Sequence, residues 1–244
     1  MDAVDRPTFE TSAARSVYQY VERHGTAARH RVRAASDLDP AVFDEALEHL
    51  LSKGYLADDG GTLSLALDVG SVERYAEGPV TYTIRPAQPD DFEGLIDAIR
   101  AVSDESTYVV AESVAEQLLY EDAVTRHNTV ESRVFFVATV DEKLVGWCHL
   151  DLPQLDKLRG TAQSTVGVVP EYRGHEIGSR LLERGTEWAR ANGYRKLYNS
   201  VPAVNERALA FLESHGWHTE GIRRNHYTLG DDTVDEVMMA RTLD

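Results

Sequence analysis

The sequence predicts an α/β (α+β) chain in two units: a small helical one over residues 1–75 and a larger one over 80–244. Apolar residues recur at helical spacing in the first unit, which ends in a hairpin signal. Beyond residue 80, runs rich in valine, threonine and aromatics alternate with amphipathic stretches, the pattern of helices packed on a sheet. Between the two lies DVGSVERYAEGPV, whose glycines and charges read as a linker. With 244 residues, 42% of them hydrophobic, the chain has enough apolar material for two cores.

In SAARSVYQYVERHG, Ala14, Val17, Tyr18 and Val21 share one helical face, and Gly25 ends the run. AARHRVRAASDLD fits a shorter helix. PAVFDEALEHLLSKG repeats the pattern with Phe43, Ala46, Leu47, Leu50 and Leu51, started by Pro40 and stopped by Gly54. YLADDGGTLSLAL alternates around an Asp-Gly-Gly turn. Three helices followed by a hairpin resemble a winged helix-turn-helix. In the second unit, TYTIRPA reads as a strand from Thr81, DDFEGLIDAIRAVSDES as a helix with an acidic first turn, and a further helix falls within 110–124. SRVFFVATVD and KLVGWCHLDL are strands joined by a tight Asp-Glu turn, and TAQSTVGVV is the next. A helix from Gly178 buries Leu181, Leu182, Gly185, Trp188 and Ala189 and stops at ANGY. KLYNSV is a strand, NERALAFLESHG a helix, and NHYTL with DEVMMARTL a closing strand pair.

Charge excludes several functions. The net charge is −16, with 41 acidic against 25 basic side chains, which disfavours nucleic acid and anionic membranes. Abundant carboxylates beside scarce lysine suggest a halophilic protein, adapted to salt at which the Debye length is about 3 Å. Apolar runs are too short to span a bilayer. The start MDAVDRPTFE has no secretory pattern, and the lone Cys148 fits a reducing cytoplasm. Residues 1–75 carry 13 acidic and 8 basic side chains. The helix that would enter a DNA groove bears Asp44, Glu45 and Glu48, and the hairpin tip bears Asp58 and Asp59; Arg29, Arg31 and Arg33 form the one basic patch. A packing, homodimer-forming or substrate-recruiting module is therefore expected, rather than a DNA reader.

The loop RGHEIGSRLL follows a strand and opens an amphipathic helix. Free backbone N–H groups and the helix dipole make such a junction a phosphate cradle, although Glu176 stands in its middle. The spacing matches neither the dinucleotide fingerprint nor the GK[ST] phosphate loop. Taken with VGVVPEY before it and NERALAFLESHGW after it, the stretch resembles the Gcn5-related N-acetyltransferase (GNAT) superfamily over roughly residues 80–244. The resemblance implies a mixed central sheet and acetyl-CoA as co-substrate; the nine scattered histidines have no metal-ligand spacing, so no metal is expected. Its loop pattern, Gln/Arg-x-x-Gly-x-Gly/Ala, wraps the cofactor pyrophosphate. Arg173 and Gly178 match the outer positions, and Glu176 replaces the middle glycine. The cradle implied is Arg173, Gly174, His175, Glu176, Ile177, Gly178 and Ser179. Val166, Gly167 and Val168 would pair with the pantetheine arm, and Asn205, Ala208 and Phe211 would face the cofactor from the next helix. Asn205 is also a ready N-cap. Since the cradle uses main-chain N–H groups, Glu176 is expected to keep negative φ and point its carboxylate to solvent.

The implied chemistry is attack of an amine, on a protein or a small molecule, on the thioester. A backbone N–H, assigned to Val168, would stabilise the oxyanion. The proton carriers usual in the family are absent: Gln163 and Ser200 stand where a general-base Glu is common, and Leu212 where a Tyr is common. His149 and Asp151, on one face of a strand, and Tyr227, beside His226 in the closing pair, are the local candidates. His215 reads as a helix C-cap, and Cys148 as a small buried residue. Two other functions stay open: an acetyl-CoA-sensing transcription regulator, and an inactive GNAT scaffold.

Overall fold

The computed structural model describes residues 7–67, 69–103, 109–121, 123–128 and 130–243. Three helices, α1 (Ser12–His24), α2 (Arg29–Ser36) and α3 (Pro40–Ser52), come first. Thr11 caps α1 by accepting from the Ala14 N–H at 3.1 Å. Asp39 does the same for α3 at Ala41, ahead of Pro40. Strands β1 (Thr26–Ala28), β2 (Leu56–Asp59) and β3 (Thr62–Leu65) form a sheet in the order β1-β3-β2. The hairpin turns on Gly60 and Gly61, both with positive φ. Val17, Tyr18, Val21, Val32, Phe43, Leu47, Leu50, Leu56 and Leu63 close into a core of their own. The strand β1 has no counterpart in the sequence reading, because three residues carry too little periodicity to announce it.

The rest of the chain contributes β4 (Glu73–Glu77), β5 (Val80–Pro86), α4 (Phe92–Ser103), α5 (Val109–Glu121), β6 (Arg126–His127), β7 (Glu131–Val140), β8 (Lys143–Pro153) and β9 (Thr161–Val168). These are followed by α6 (Ile177–Ala191), β10 (Lys196–Pro202), α7 (Glu206–Ser214), β11 (His218–Leu229) and β12 (Asp232–Thr242). The sheet runs β11-β12-β10-β9-β8-β7-β5-β4, with β6 on β7. Among the described residues only β9 and β10 pair in parallel, so the sheet is mixed. The segment read as a linker contains β4, which is a correction. Tyr75 there stacks on Tyr82 of β5 at 5.4 Å, a cross-strand pair that outweighs the flanking glycines.

Helices cover both faces of the sheet. Cys148, Leu150 and Leu152 of β8 pack with Leu181, Leu182, Trp188 and Ala189 of α6. Phe135, Val137 and Trp147 pack with Leu95 and Ile99 of α4 and Val114 and Leu118 of α5. Gly185 lets α6 approach: a Cβ there would lie 2.7 Å from Cys148 Sγ. The N-terminal helices meet the larger sheet through Tyr18, whose hydroxyl donates to the His127 carbonyl at 2.6 Å. Glu22 adds bonds from Arg126 at 3.1 Å and Asn128 at 3.2 Å.

One departure from regular pairing creates the site. β9 and β10 are bonded only where Thr161–Gln163 meet Lys196–Tyr198. Beyond that, β9 stays with β8 through Val168, and β10 stays with β12 through Pro202. The two strands separate into a wedge whose facing backbone edges are not paired with each other.

Candidate active site

The wedge opens into a cavity of about 410 Å³. Its walls include Val166, Gly167 and Val168 from β9, the loop from Arg173 to Ser179, Ser200 from β10, Asn205, Ala208 and Phe211 around α7, and the start of α5 at Val109. Of the thirteen positions to which the resemblance assigns the cofactor, only His175 is outside the lining; it is half-buried in the loop. Gly167 has a packing reason besides: a Cβ would meet the Trp147 ring at 2.9 Å. Gly178 sits close to Val168 and Phe211, where a Cβ would make ordinary contacts at 3.5 and 3.6 Å. Arg173 donates through Nε to the Val168 carbonyl at 2.8 Å and so ties the loop to the strand end. Asn205 caps α7 by accepting from Ala208 N–H at 3.1 Å, and it is buried.

Glu176 departs from expectation. Its φ is +57° and its ψ 0°, the left-handed region, where a negative φ was expected. The chain turns twice within three residues, Gly174 having φ +84°, and the second turn needs the same hand whatever residue occupies it. The carboxylate does point outward, half-exposed and 3.4 Å from Arg180. Left-handed residues on either side of His175, which is not left-handed, turn neighbouring N–H groups into a common concavity, and the first turn of α6 adds N–H groups that have no partner within the helix.

The three side chains offered as proton carriers fare differently. His149 is buried in β8, stacked on Phe135 at 4.6 Å and absent from the cavity wall. Burial, helped by the charge of Arg133, holds its imidazole down to about 3. Asp151 lies between Arg133 and Gln163 in register, also away from the cavity, and burial raises its carboxyl. Tyr227 lies outside the lining too, but its hydroxyl donates to Glu236 at 3.1 Å. Burial first, and then the Glu236 charge, push the phenol up to about 12. Ser200 and Leu212 line the cavity, and Gln163 does not. Cys148 is buried, with its thiol raised to about 12 by burial. His215 is the C-cap of α7.

Sequence reasoning missed Glu236. It is 2% exposed in β12 and receives Arg223 Nη1 at 2.7 Å, the Tyr227 hydroxyl, a hydrogen bond from Ser200, and His226 at 3.7 Å. Burial works to raise its carboxyl, but these donors and cations win and hold it below the ordinary range. The available signal was alternation: Glu236 shares a face with the buried Val234.

A mixed sheet with a wedge, an N–H-lined loop at its mouth and a helix-capping Asn beyond it defines the class of the protein, an acyltransferase. The chain belongs to the acetyltransferase (GNAT) family, whose model matches residues 96–217. A Bacillus subtilis protein, provisionally named a ribosomal protein bS18-alanine N-acetyltransferase, is 30% identical over 110 residues, covering 45% of this chain and 68% of that one. The Escherichia coli K12 ribosomal protein bS18-alanine N-acetyltransferase is 35% identical over 75 residues, 31% of this chain and 51% of its own length. The chain thus spans about half of that relative. Among solved structures, a Salmonella typhimurium acetyltransferase candidate determined with its cofactor acetyl-CoA superposes with a TM-score of 0.53 at 18% identity, over 67% of this chain and 94% of that one. Among the described residues, no helix is long and apolar enough to cross a membrane.

Proposed function

We propose that the protein transfers the acetyl group of acetyl-CoA to an amine by direct attack. The observation that carries this is the wedge between β9 and β10 ending in the turn with Gly174 at φ +84° and Glu176 at φ +57°. The donor set fits the group. Loop N–H groups from Gly174 to Ser179 would hold the pyrophosphate, Val166 to Val168 would pair with the pantetheine arm, and Ala208 and Phe211 would flank it. Acetyl-CoA supplies the activated thioester. The Val168 N–H would stabilise charge developing on its carbonyl oxygen, and the walls of the wedge would hold amine and thioester together.

The acceptor we favour is the α-amine of a protein chain, as in the bS18-alanine acetyltransferases to which the sequence is similar; a small-molecule amine is the alternative. Mass spectrometry after incubation with acetyl-CoA and a panel of amines tests this. The panel includes an alanine-initiated peptide, a peptide with an internal lysine, and spermidine. Acetylation of at least one is expected. Absence of thermal stabilisation by acetyl-CoA far above micromolar concentrations would refute it.

The N-terminal unit, residues 1–75, we read as a winged-helix-like domain beside an acetyltransferase domain over 80–244. It serves packing or acceptor recruitment and not DNA reading. The exposed face of α3 carries Asp44, Glu45 and Glu48, and Arg29 is already engaged by Asp44 at 3.0 Å and Asp58 at 4.0 Å. That leaves Arg31 and Arg33 to neutralise phosphates, beside the three carboxylates of α3 that would repel them. A salt-dependent shift of DNA fragments that is lost on Arg31→Ala and Arg33→Ala would reverse this assignment.

A further inference from the structure

The register of β10 against β12 pairs Ser200 with Met238 and Pro202 with Glu236. By two-residue alternation, Ser200 and Glu236 lie on the same face of neighbouring strands. Ser200 lines the cavity, and Glu236 lies behind it, joined to it by a hydrogen bond. The charged and titratable groups that face Glu236 all come from β11. They are Arg223, His226 and Tyr227, brought together by an irregularity between Arg223 and Tyr227 where Asn225 has φ +50°. On its own strand, the neighbouring Asp235 is occupied by Arg224 and the Asn225 N–H.

We propose that Glu236, acting through the Ser200 hydroxyl, takes the proton that the acceptor amine must lose; this rests on the acetyltransferase reading above. A carboxylate needed only to hold Arg223 has no need to be buried, since Arg223 itself is 55% exposed and could be met at the surface. Glu236 is instead withdrawn from water and connected to the cavity through one hydroxyl. In the step, the ammonium nitrogen gives a proton to Ser200 Oγ as the Ser200 proton passes to a Glu236 oxygen, leaving a neutral amine and a neutral carboxyl. The nitrogen lone pair forms the C–N bond, the C–S bond breaks, and the nitrogen's next proton goes to the departing sulfur. Glu236 then returns its proton to solvent through Ser200. Charge and atoms balance: ammonium and thioester give amide, thiol and one released proton. Ser200 is the group that touches substrate, and Glu236 is a positioning residue behind it that holds the proton only in passing.

Steady-state kinetics of the full chain, with the best amine of the panel, test this. Glu236→Gln is expected to lower kcat by 100-fold or more, with the acetyl-CoA-induced thermal shift and the KM for acetyl-CoA unchanged within threefold. Its log kcat should climb with pH at unit slope, since the amine must now lose its proton to solvent, where the wild type is flatter. Ser200→Ala should fall at least tenfold, and Ser200→Thr, which keeps the hydroxyl, should recover most of it. Arg223→Ala should keep kcat within threefold at neutral pH and move the acid limb of the profile upward. If Glu236→Gln folds, binds acetyl-CoA and turns over at the wild-type rate and pH dependence, the relay is wrong while the acetyltransferase reading stands. Equal losses in Glu236→Gln and Arg223→Ala with unaltered pH profiles would assign the pair to structure alone. Wild-type protein that binds acetyl-CoA and acetylates no amine would overturn both.

Discussion

His149 shows how burial decides what a titratable side chain does. Neither ring nitrogen has a hydrogen-bond partner among the described residues, and the ring stacks on Phe135 inside the sheet. Its folded pKa of about 3 lies below the unfolded value of 6.5, so between these the unfolded chain binds the extra proton. Stability present above pH 6.5 is therefore lost as the pH falls toward 3. From pH 7 to 4.5 this group should remove roughly 2–3 kcal/mol. His149→Phe should abolish that part of the acid sensitivity in urea titrations and leave turnover within tenfold. Glu176 carries the opposite lesson. Its left-handed φ costs on the order of 1 kcal/mol, which Glu176→Gly would recover and largely lose again through the freer unfolded chain. Calorimetry of that variant should find acetyl-CoA affinity within tenfold, about 1.4 kcal/mol, and stability within about 1 kcal/mol. The loop was legible in the sequence, because arginine and glycine at fixed spacing before a periodic helix report local geometry. The sign of φ at Glu176 was not, since glutamate itself gives no hint of the turn it must make.

At the scale of elements, helices and buried strands were legible wherever a period ran for eight residues or more, as in α1, α3, α6 and β8. The closing pair was read less well. β11 begins at His218, well before NHYTL, and its irregularity breaks the alternation that would have set His226 and Tyr227 on opposite sides. Both therefore reach Glu236, a constellation that no spacing in the sequence encodes because a partner strand and an extra residue create it. The packing of α6 on β8 offers a sharper test. Gly185→Ala should cost about 1–3 kcal/mol in chemical denaturation, as its Cβ meets Cys148 Sγ. Adding Cys148→Ala should restore part of that loss, and a double-mutant cycle should show the coupling.

Across the whole molecule, the two cores are joined by an ion cluster. Arg126 bridges Glu22 of α1 and Glu121 of α5, each at 3.1 Å, and Glu121 also holds the buried Arg133 at 2.8 Å. Removing the bridge leaves two shielded carboxylates short of a partner, which costs about 3 kcal/mol when such pairs are buried. Arg126→Ala should therefore separate a single calorimetric transition into two, the N-terminal core melting first. This junction was invisible in the sequence, where Glu22 and Arg126 stand far apart on segments that look unremarkable.

The parting of β9 from β10 has one more consequence. A sheet held open at its centre is a sheet kept one rung short, and the molecule spends backbone pairing in order to keep the vacancy. Whatever enters is met first by main chain, which every substitution except proline leaves in place. Changes to lining side chains such as Val109 or Arg207 would retune the fit of a visitor without closing the gap that admits it. Evolution toward new visitors is thus free to rewrite the rim while the backbone edge persists.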